Sequence, residues 1–137
     1  MPFREIRPEE LLTQANHLLG KGQTSLAKFL IIANGEDNED LNAKDEPAFF
    51  QHILERVDWT RDLHFQTKTT MDTLDYSGDG WNAGSKVVLA ACGQATRVLS
   101  NQVPSLPKSE AYTNPSVIAP GILALQIKPF TDETSYQ

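Results

Sequence analysis

Residues 27–62 read AKFLIIANGEDNEDLNAKDEPAFFQHILERVDWTRD, and the fold turns on how this stretch is divided. Lys28 to Asn34 frames an uninterrupted apolar run, Phe29 to Ala33. A run of that kind suits a strand covered on both faces, as in a parallel sheet. The acidic residues Glu36, Asp37, Glu39, Asp40, Asp45 and Glu46 follow, and their composition predicts a loop. Pro47 then suits the first turn of a helix, with Asp45 or Glu46 as its cap. Phe49, Phe50, Ile53, Leu54 and Val57 form the inward face of that helix, which puts His52 on its outer side. The helix is expected to end before Asp58-Trp59.

Toward the start of the chain, Arg7 to Leu19 has a helical pattern. Pro8 fits the first turn, Glu9 and Glu10 fit the positive end of the dipole, and Leu11, Leu12, Ala15, Leu18 and Leu19 share one face. Gly20 and Gly22 stop it. In the other direction, Leu63 to Thr69 alternates apolar and polar residues and predicts a second strand near a sheet edge. Leu74 to Gly84 is rich in turn residues, Lys86 to Ala91 is a third strand, and Cys92 to Leu99 fits a short helix weakened by Gly93. Pro104, Pro107, Pro115 and Pro120 mark an irregular connection over residues 100–121. A last strand is expected over Gly121 to Lys128, before a frayed tail, DETSYQ. Strand-helix-strand order with apolar strands predicts one α/β domain over residues 1–137, its core at 22–92. The expected form is a small sandwich with a mostly parallel or mixed sheet flanked by helices.

Composition excludes several classes. A chain of 137 residues, 39% apolar and 22% charged, has the makeup of an ordinary globular domain. Net charge is −6 and the lysines and arginines are scattered, which argues against nucleic acid and against anionic membranes. No apolar run approaches the ~20 residues of a membrane span. The opening MPFREIRPEELL lacks the layout of a secretion signal, and one cysteine cannot form an internal disulfide. The expected compartment is therefore the cytoplasm.

Several groups invite a chemical reading. The acidic run could hold a hard cation through carboxylate oxygens, but it lacks calcium-loop spacing, so a solvated loop is the simpler reading. It also follows the carboxyl end of a strand, where open α/β sheets bind ligands. Gly78, Gly80 and Gly84 before Ser85-Lys86 suggest a phosphate loop, yet no Ser or Thr follows the lysine, and a turn leading into a strand fits better. Cys92 could be a nucleophile with His17, His52 or His64 as base, against the more ordinary reading of a buried thiol. The three histidines show no zinc pattern. Arg56, Asp58, Arg61 and Asp62 alternate in charge, and Arg-carboxylate pairing among them would pin the loop or hold a neighbouring subunit. Trp59 and Trp81 stand in polar contexts, so at least one is expected at the surface.

The run KFLIIANGED from Lys28, the amphipathic helix, Arg56-Val-Asp58-Trp-Thr-Arg61-Asp62, Leu74-Asp75-Tyr76 and Gly84-Ser85-Lys86-Val-Val-Leu together resemble the C-terminal domain of the UbiD-type decarboxylases. These are the family of 3-octaprenyl-4-hydroxybenzoate carboxy-lyase. Its members run from a strand into an Asp-rich turn, through Arg-x-Asp-Pro-x-Arg-Asp, to a Leu/Ile-Asp segment and a Gly-Ser-Lys strand. The likeness covers Gly22 to Cys92, about half of the chain. Asn34-Gly35-Glu36-Asp37 replaces the run of aspartates, Trp59 stands at the usual proline, and Ala91 stands where an Asp often follows.

The resemblance implies a reversible, non-oxidative decarboxylase of aromatic or α,β-unsaturated acids, of the kind used in ubiquinone biosynthesis, dependent on prenylated FMN and a divalent metal. It implies that cofactor, metal and catalytic residues belong to preceding domains, leaving this chain without a catalytic, cofactor or metal residue. Arg56, Asp58, Arg61, Asp62, Ser85 and Lys86 become structural or interface candidates. The chain is then a structural and oligomerisation domain, a truncated piece or a detached domain whose Met1 stands where upstream sequence would otherwise continue, and part of a homo-oligomer. Two other readings stay open: a free-standing α/β module binding a small anionic ligand or nucleotide at Gly78 to Lys86, and a cation-binding interaction module at Glu36 to Glu46.

Overall fold

The apolar run at 29–33 pairs in parallel with the run at 83–91, and the elements around it are arranged about that pair. The computed structural model describes residues 8–77 and 80–129. Arg7, Gly78 and the tail at 132–137, singled out above, lie outside the described residues. The chain divides into two compact units, within residues 1–97 and 98–137.

The first unit runs α1 (Pro8–Leu19), a short 3-10 turn (Gly22–Leu26), β1 (Phe29–Ala33), a second such turn (Gly35–Asp37), α2 (Glu46–Arg56), β2 (Leu63–Thr70) and β3 (Ala83–Ala91). The sheet order is β1-β3-β2, with β1 parallel and β2 antiparallel to β3. The expected α/β fold with a mixed sheet is therefore found. The both-faces-covered reading fits β3, in the middle, better than β1. Strand β1 lies at the edge, and its Phe29 is exposed.

Side chains alternate across a strand, and here the alternation assigns each face to one helix. Leu30 and Ile32 of β1 and Val88, Ala90 and Cys92 face Leu11 and Ala15 of α1. Ile31 and Ala33 of β1, Leu89 and Ala91 of β3 and Leu63 of β2 face Phe49, Ile53 and Val57 of α2. Helix α2 starts as expected: Asp45 is the N-cap, its Oδ1 accepts the Ala48 N–H at 3.2 Å, and Pro47 lies in the first turn.

Three expectations change. Residues 92–99 are not helical, because Gly93 adopts φ +92° and Thr96 spends its N–H on the Glu55 carbonyl at the end of α2, at 2.8 Å. His52 is 5% exposed rather than outward, since segment 93–97 runs against the last turn of α2. The proline-rich connection contains a strand.

That strand, β4 (Tyr112–Ala119), pairs antiparallel with β5 (Ile122–Ile127) in the second unit. Pro115 is tolerated because the register shifts between Thr113 and Ser116, where no ladder donor is required. Gly121 turns the hairpin at φ +74°, and a Cβ there would meet Leu99 at 3.0 Å.

The fully buried Ile53 gives the clearest test of the α2 face. Ile53→Ala should cost about 3 kcal/mol in urea unfolding, since both the transfer term and the cavity fall on a site roofed by the sheet. A cost under about 1 kcal/mol would show that α2 is not seated there.

Candidate functional site

A cleft of about 470 Å³ lies at the carboxyl ends of β1 and β3 in the first unit. Asn34, Glu36, Asp37, Arg56, Gly93 and Gln94 line it. The turn after β1 is shaped by Asn34, whose Oδ1 accepts the Glu36 N–H at 3.2 Å and whose Nδ2 donates to Asp37 Oδ1 at 3.0 Å. The other Asp37 oxygen accepts the Gly93 N–H at 2.7 Å. Arg56 Nε donates to the Gly93 carbonyl at 2.8 Å, and its Nη1 to the His52 carbonyl at 2.9 Å. The Gly93 peptide is thus held on one side by a carboxylate and on the other by a guanidinium. Thr96 donates to the Glu55 carbonyl and Arg97 Nη2 to that of Val57 at 2.5 Å, which satisfies two otherwise orphaned carbonyls at the end of α2.

The loop after α2 closes on Asp62, whose side chain is fully buried. Its Oδ2 accepts the Asp58 N–H at 2.8 Å. Arg61 approaches bidentately, Nε to Oδ1 at 2.6 Å and Nη2 to Oδ2 at 3.0 Å. The backbone of Asp62 accepts the Ala90 N–H at 3.1 Å, tying this loop to β3. The hydrogen bond to Asp62 raises the Arg61 guanidinium above its ordinary pKa. Asp58 caps the turn by accepting the Thr60 hydroxyl at 2.6 Å and N–H at 2.9 Å, and those bonds hold its carboxyl below the usual range.

A smaller cleft of about 170 Å³ is lined by Lys28, Thr67, Asp75, Ser77 and Ser85 among others. Lys28 Nζ lies 3.2 Å from Asp75 Oδ2 and donates to the Ser77 hydroxyl, which donates to Asp75 Oδ1 at 2.5 Å. The Ser77 hydroxyl and N–H, with Lys28, bring the Asp75 carboxyl down to about 2. With the lysine as donor and the carboxylate so weak a base, the cluster is poorly equipped to activate the Ser77 hydroxyl.

Of the residues singled out from the sequence, Asp58, Arg61 and Asp62 come together as a pinned loop. Arg56 goes instead to Gly93. Ser85 and Lys86 point to opposite faces of β3: Ser85 is exposed, while Lys86 is 5% exposed and donates to the Ser25 carbonyl. That removes Lys86 from the phosphate-loop reading. Cys92 is buried, and burial, aided by Asp37 and Asp62, pushes its thiol up to about 11, so thiolate is scarce at neutral pH. His17 is exposed on α1, and His64 is half-buried beside Val88. Among the described residues no cluster of three His, Cys, Asp or Glu side chains could hold a metal. In the acidic run, Asp37 and Asp45 accept backbone N–H groups as turn and cap residues. Both Trp59 and Trp81 are exposed. Sequence reasoning missed the ties on Gly93, the burial of His52 and the Lys28–Asp75–Ser77 cluster. The available signals were a glycine closing an apolar run and the i, i+4 spacing of His52 and Arg56.

Asp62→Ala should cost about 3 kcal/mol in urea unfolding, because it breaks a buried ionic contact and orphans the Asp58 amide. Arg61→Ala should cost about 2 kcal/mol, discounted for the exposed half of its side chain. Wild-type stability in both variants would overturn the pinning role.

Comparison with known proteins agrees with this geometry. The model of the 3-octaprenyl-4-hydroxybenzoate carboxy-lyase C-terminal domain matches residues 3–91. A protein of Chlamydia pneumoniae, named as a subunit of 4-hydroxybenzoate decarboxylase, is 41% identical over 90 residues, 66% of this chain and 15% of that protein. An uncharacterised protein of Chlamydia caviae is 38% identical over 120 residues, 86% of this chain and 19% of its own length. Another, from Chlamydia trachomatis serovar D, is 39% identical over 101 residues, 72% of this chain and 17% of its own. The chain thus spans less than a fifth of these relatives. The likeness read from Gly22 to Cys92 is borne out, and the match reaches back through α1. The chain belongs to the UbiD-type decarboxylase family, and its residues 3–91 are of that family's C-terminal domain type.

Proposed function

We propose that this chain is a structural and docking domain of a UbiD-type non-oxidative decarboxylase, inactive alone. The observation that carries this reading is a row of apolar side chains across the sheet. Phe29, Val87 and Phe65 are register partners on adjacent strands, on the face that α2 covers one step further along. Phe29 is 69% and Phe65 64% exposed. A sheet face of this kind needs another element against it, and aromatic residues are enriched in interfaces. The occupants we assign are the preceding catalytic domains of the same enzyme and, through a homo-oligomer, a second copy. That the curated relatives are more than five times as long as the matched region supports the first.

The enzyme so assembled would release CO2 from aromatic or unsaturated carboxylic acids, in the cytoplasm and in the service of ubiquinone biosynthesis. The printed name of the Chlamydia pneumoniae relative supports an aromatic acid. Prenylated FMN and a divalent metal would be supplied by the other domains. The donor set here does not fit them: among the described residues no three His, Cys, Asp or Glu side chains converge, the Asp37 carboxylate is taken up by Asn34 and the Gly93 N–H, and Lys86 is committed to Ser25. What this chain contributes is a rigid platform, with its charged side chains holding loop backbone rather than facing a substrate. Among the described residues no helix is long and apolar enough to cross a membrane.

The purified chain should bind no flavin and release no CO2 from 4-hydroxybenzoate; a flavin-coloured preparation or measurable CO2 would defeat the reading. It should also self-associate at high concentration, and Phe29→Asp with Phe65→Asp should return it to monomer in sedimentation. A wild-type chain that stays strictly monomeric counts against the docking row.

A further inference from the structure

His52 sits on α2 one turn before Arg56, is 5% exposed, and has its Nε2 buried without a hydrogen-bond partner. Its carbonyl is held by Arg56, and the charged groups that act on its ring are Arg56 and Glu55 of α2 and Asp37 of the turn after β1. The loop on its remaining side, Gly93 to Ala95, carries no charge. Two of these groups are the ones that grip Gly93: Asp37 by its N–H and Arg56 by its carbonyl. The third, Glu55, already accepts from Gln51 Nε2 at 2.8 Å and lies 3.5 Å from Arg56 Nη1.

We propose that His52 makes the hold on Gly93 sensitive to pH: a proton on its buried Nε2 draws the Asp37 carboxylate away, repels Arg56, and releases the Gly93 peptide at the floor of the cleft. The chemistry follows from the donor inventory. A neutral imidazole offers one donor and one acceptor, whereas the cation donates from both nitrogens, so Nε2–H then needs an acceptor. Asp37 is the acceptor of the right sign that is not bound to another side-chain cation, and moving it costs the Gly93 N–H its partner. Arg56 meets a like charge one helical turn away. One added charge therefore acts in the same direction on both holders of a single residue. Nothing in this inference depends on the decarboxylase reading.

The sign of the pH dependence is fixed by burial. Desolvation, followed by Arg56, lowers the His52 pKa below 6.5, and Asp37 and Glu55 offset this only partly. The unfolded chain then binds a proton that the folded one refuses. Stability is complete above about pH 6.5 and declines as pH falls through that value toward the lowered folded pKa.

The test follows the His52 ring protons and the Gly93 amide of the intact 137-residue chain by NMR from pH 7.5 to 4.5. The Gly93 amide should lose protection with the same midpoint as the ring. As pH drops from about 6.5 to that midpoint its protection factor should fall about tenfold per pH unit, as one-proton linkage requires, and level off below it. In His52→Gln, Gly93 should stay protected over the same range. Protection that persists after the ring has titrated overturns the proposal. So does a loss of protection that begins well above pH 6.5, before any imidazole binds a proton, or an unchanged transition in His52→Gln, since either takes the event away from His52. If His52→Gln does not fold, the two midpoints in the wild-type chain decide alone.

Discussion

The parallel pairing of Phe29–Ala33 with Val87–Ala91 is the constraint on which the rest of the first unit depends. Its register sends alternate residues of both strands to α1 and to α2, so each helix meets a ready-made apolar surface. A slip by one residue would exchange the two surfaces and leave both helices mismatched. Parallel strands also cannot be joined by a tight turn, and the crossover between them has to carry a helix and a return strand. Helix α2 and strand β2 are that connection. The loop at 58–62 is its hinge point, where a buried carboxylate gathers the chain's direction change into three hydrogen bonds.

Four ionisable side chains in this unit are turned toward the main chain. Asp37 and Arg56 take the two ends of the Gly93 peptide, Lys86 takes the Ser25 carbonyl, and Arg97 takes that of Val57. Each such contact removes a charged group from the pool that could bind substrate and places it where an unpaired backbone dipole would be costly. Within the acidic run, Asp37 and Asp45 serve as scaffolding.

Much of this was legible in the residues. The continuous run at 29–33, the Asp45 cap before Pro47, the apolar stripe of α1 and the alternation from Leu63 are local signals, and local signals survive into the structure. The pairing of Arg61 with Asp62 could be read because the two are adjacent. What escaped was non-local. Nothing near His52 in the chain says that segment 93–97 will cover it, and nothing near Lys86 says that Ser25 will accept its proton. The strand through Pro115 was hidden because a proline is compatible with a strand only where the ladder skips a donor, and that skip is a property of its partner, β5.

The placement of β1 at the sheet's border has a consequence for biosynthesis. Phe29 to Ala33 leaves the ribosome well before its partner at Val87–Ala91 has been made. At about 5–20 residues per second the run waits about 3–12 s with five uncharged, β-prone residues and no neighbour to cover them. During that interval α1, already synthesised, is the nearest apolar surface available, and an early form of the contact that Leu30 and Ile32 keep with it would shield the nascent segment until the middle strand arrives. The lead-in helix would then guard, during synthesis, the same edge that it roofs in the finished fold.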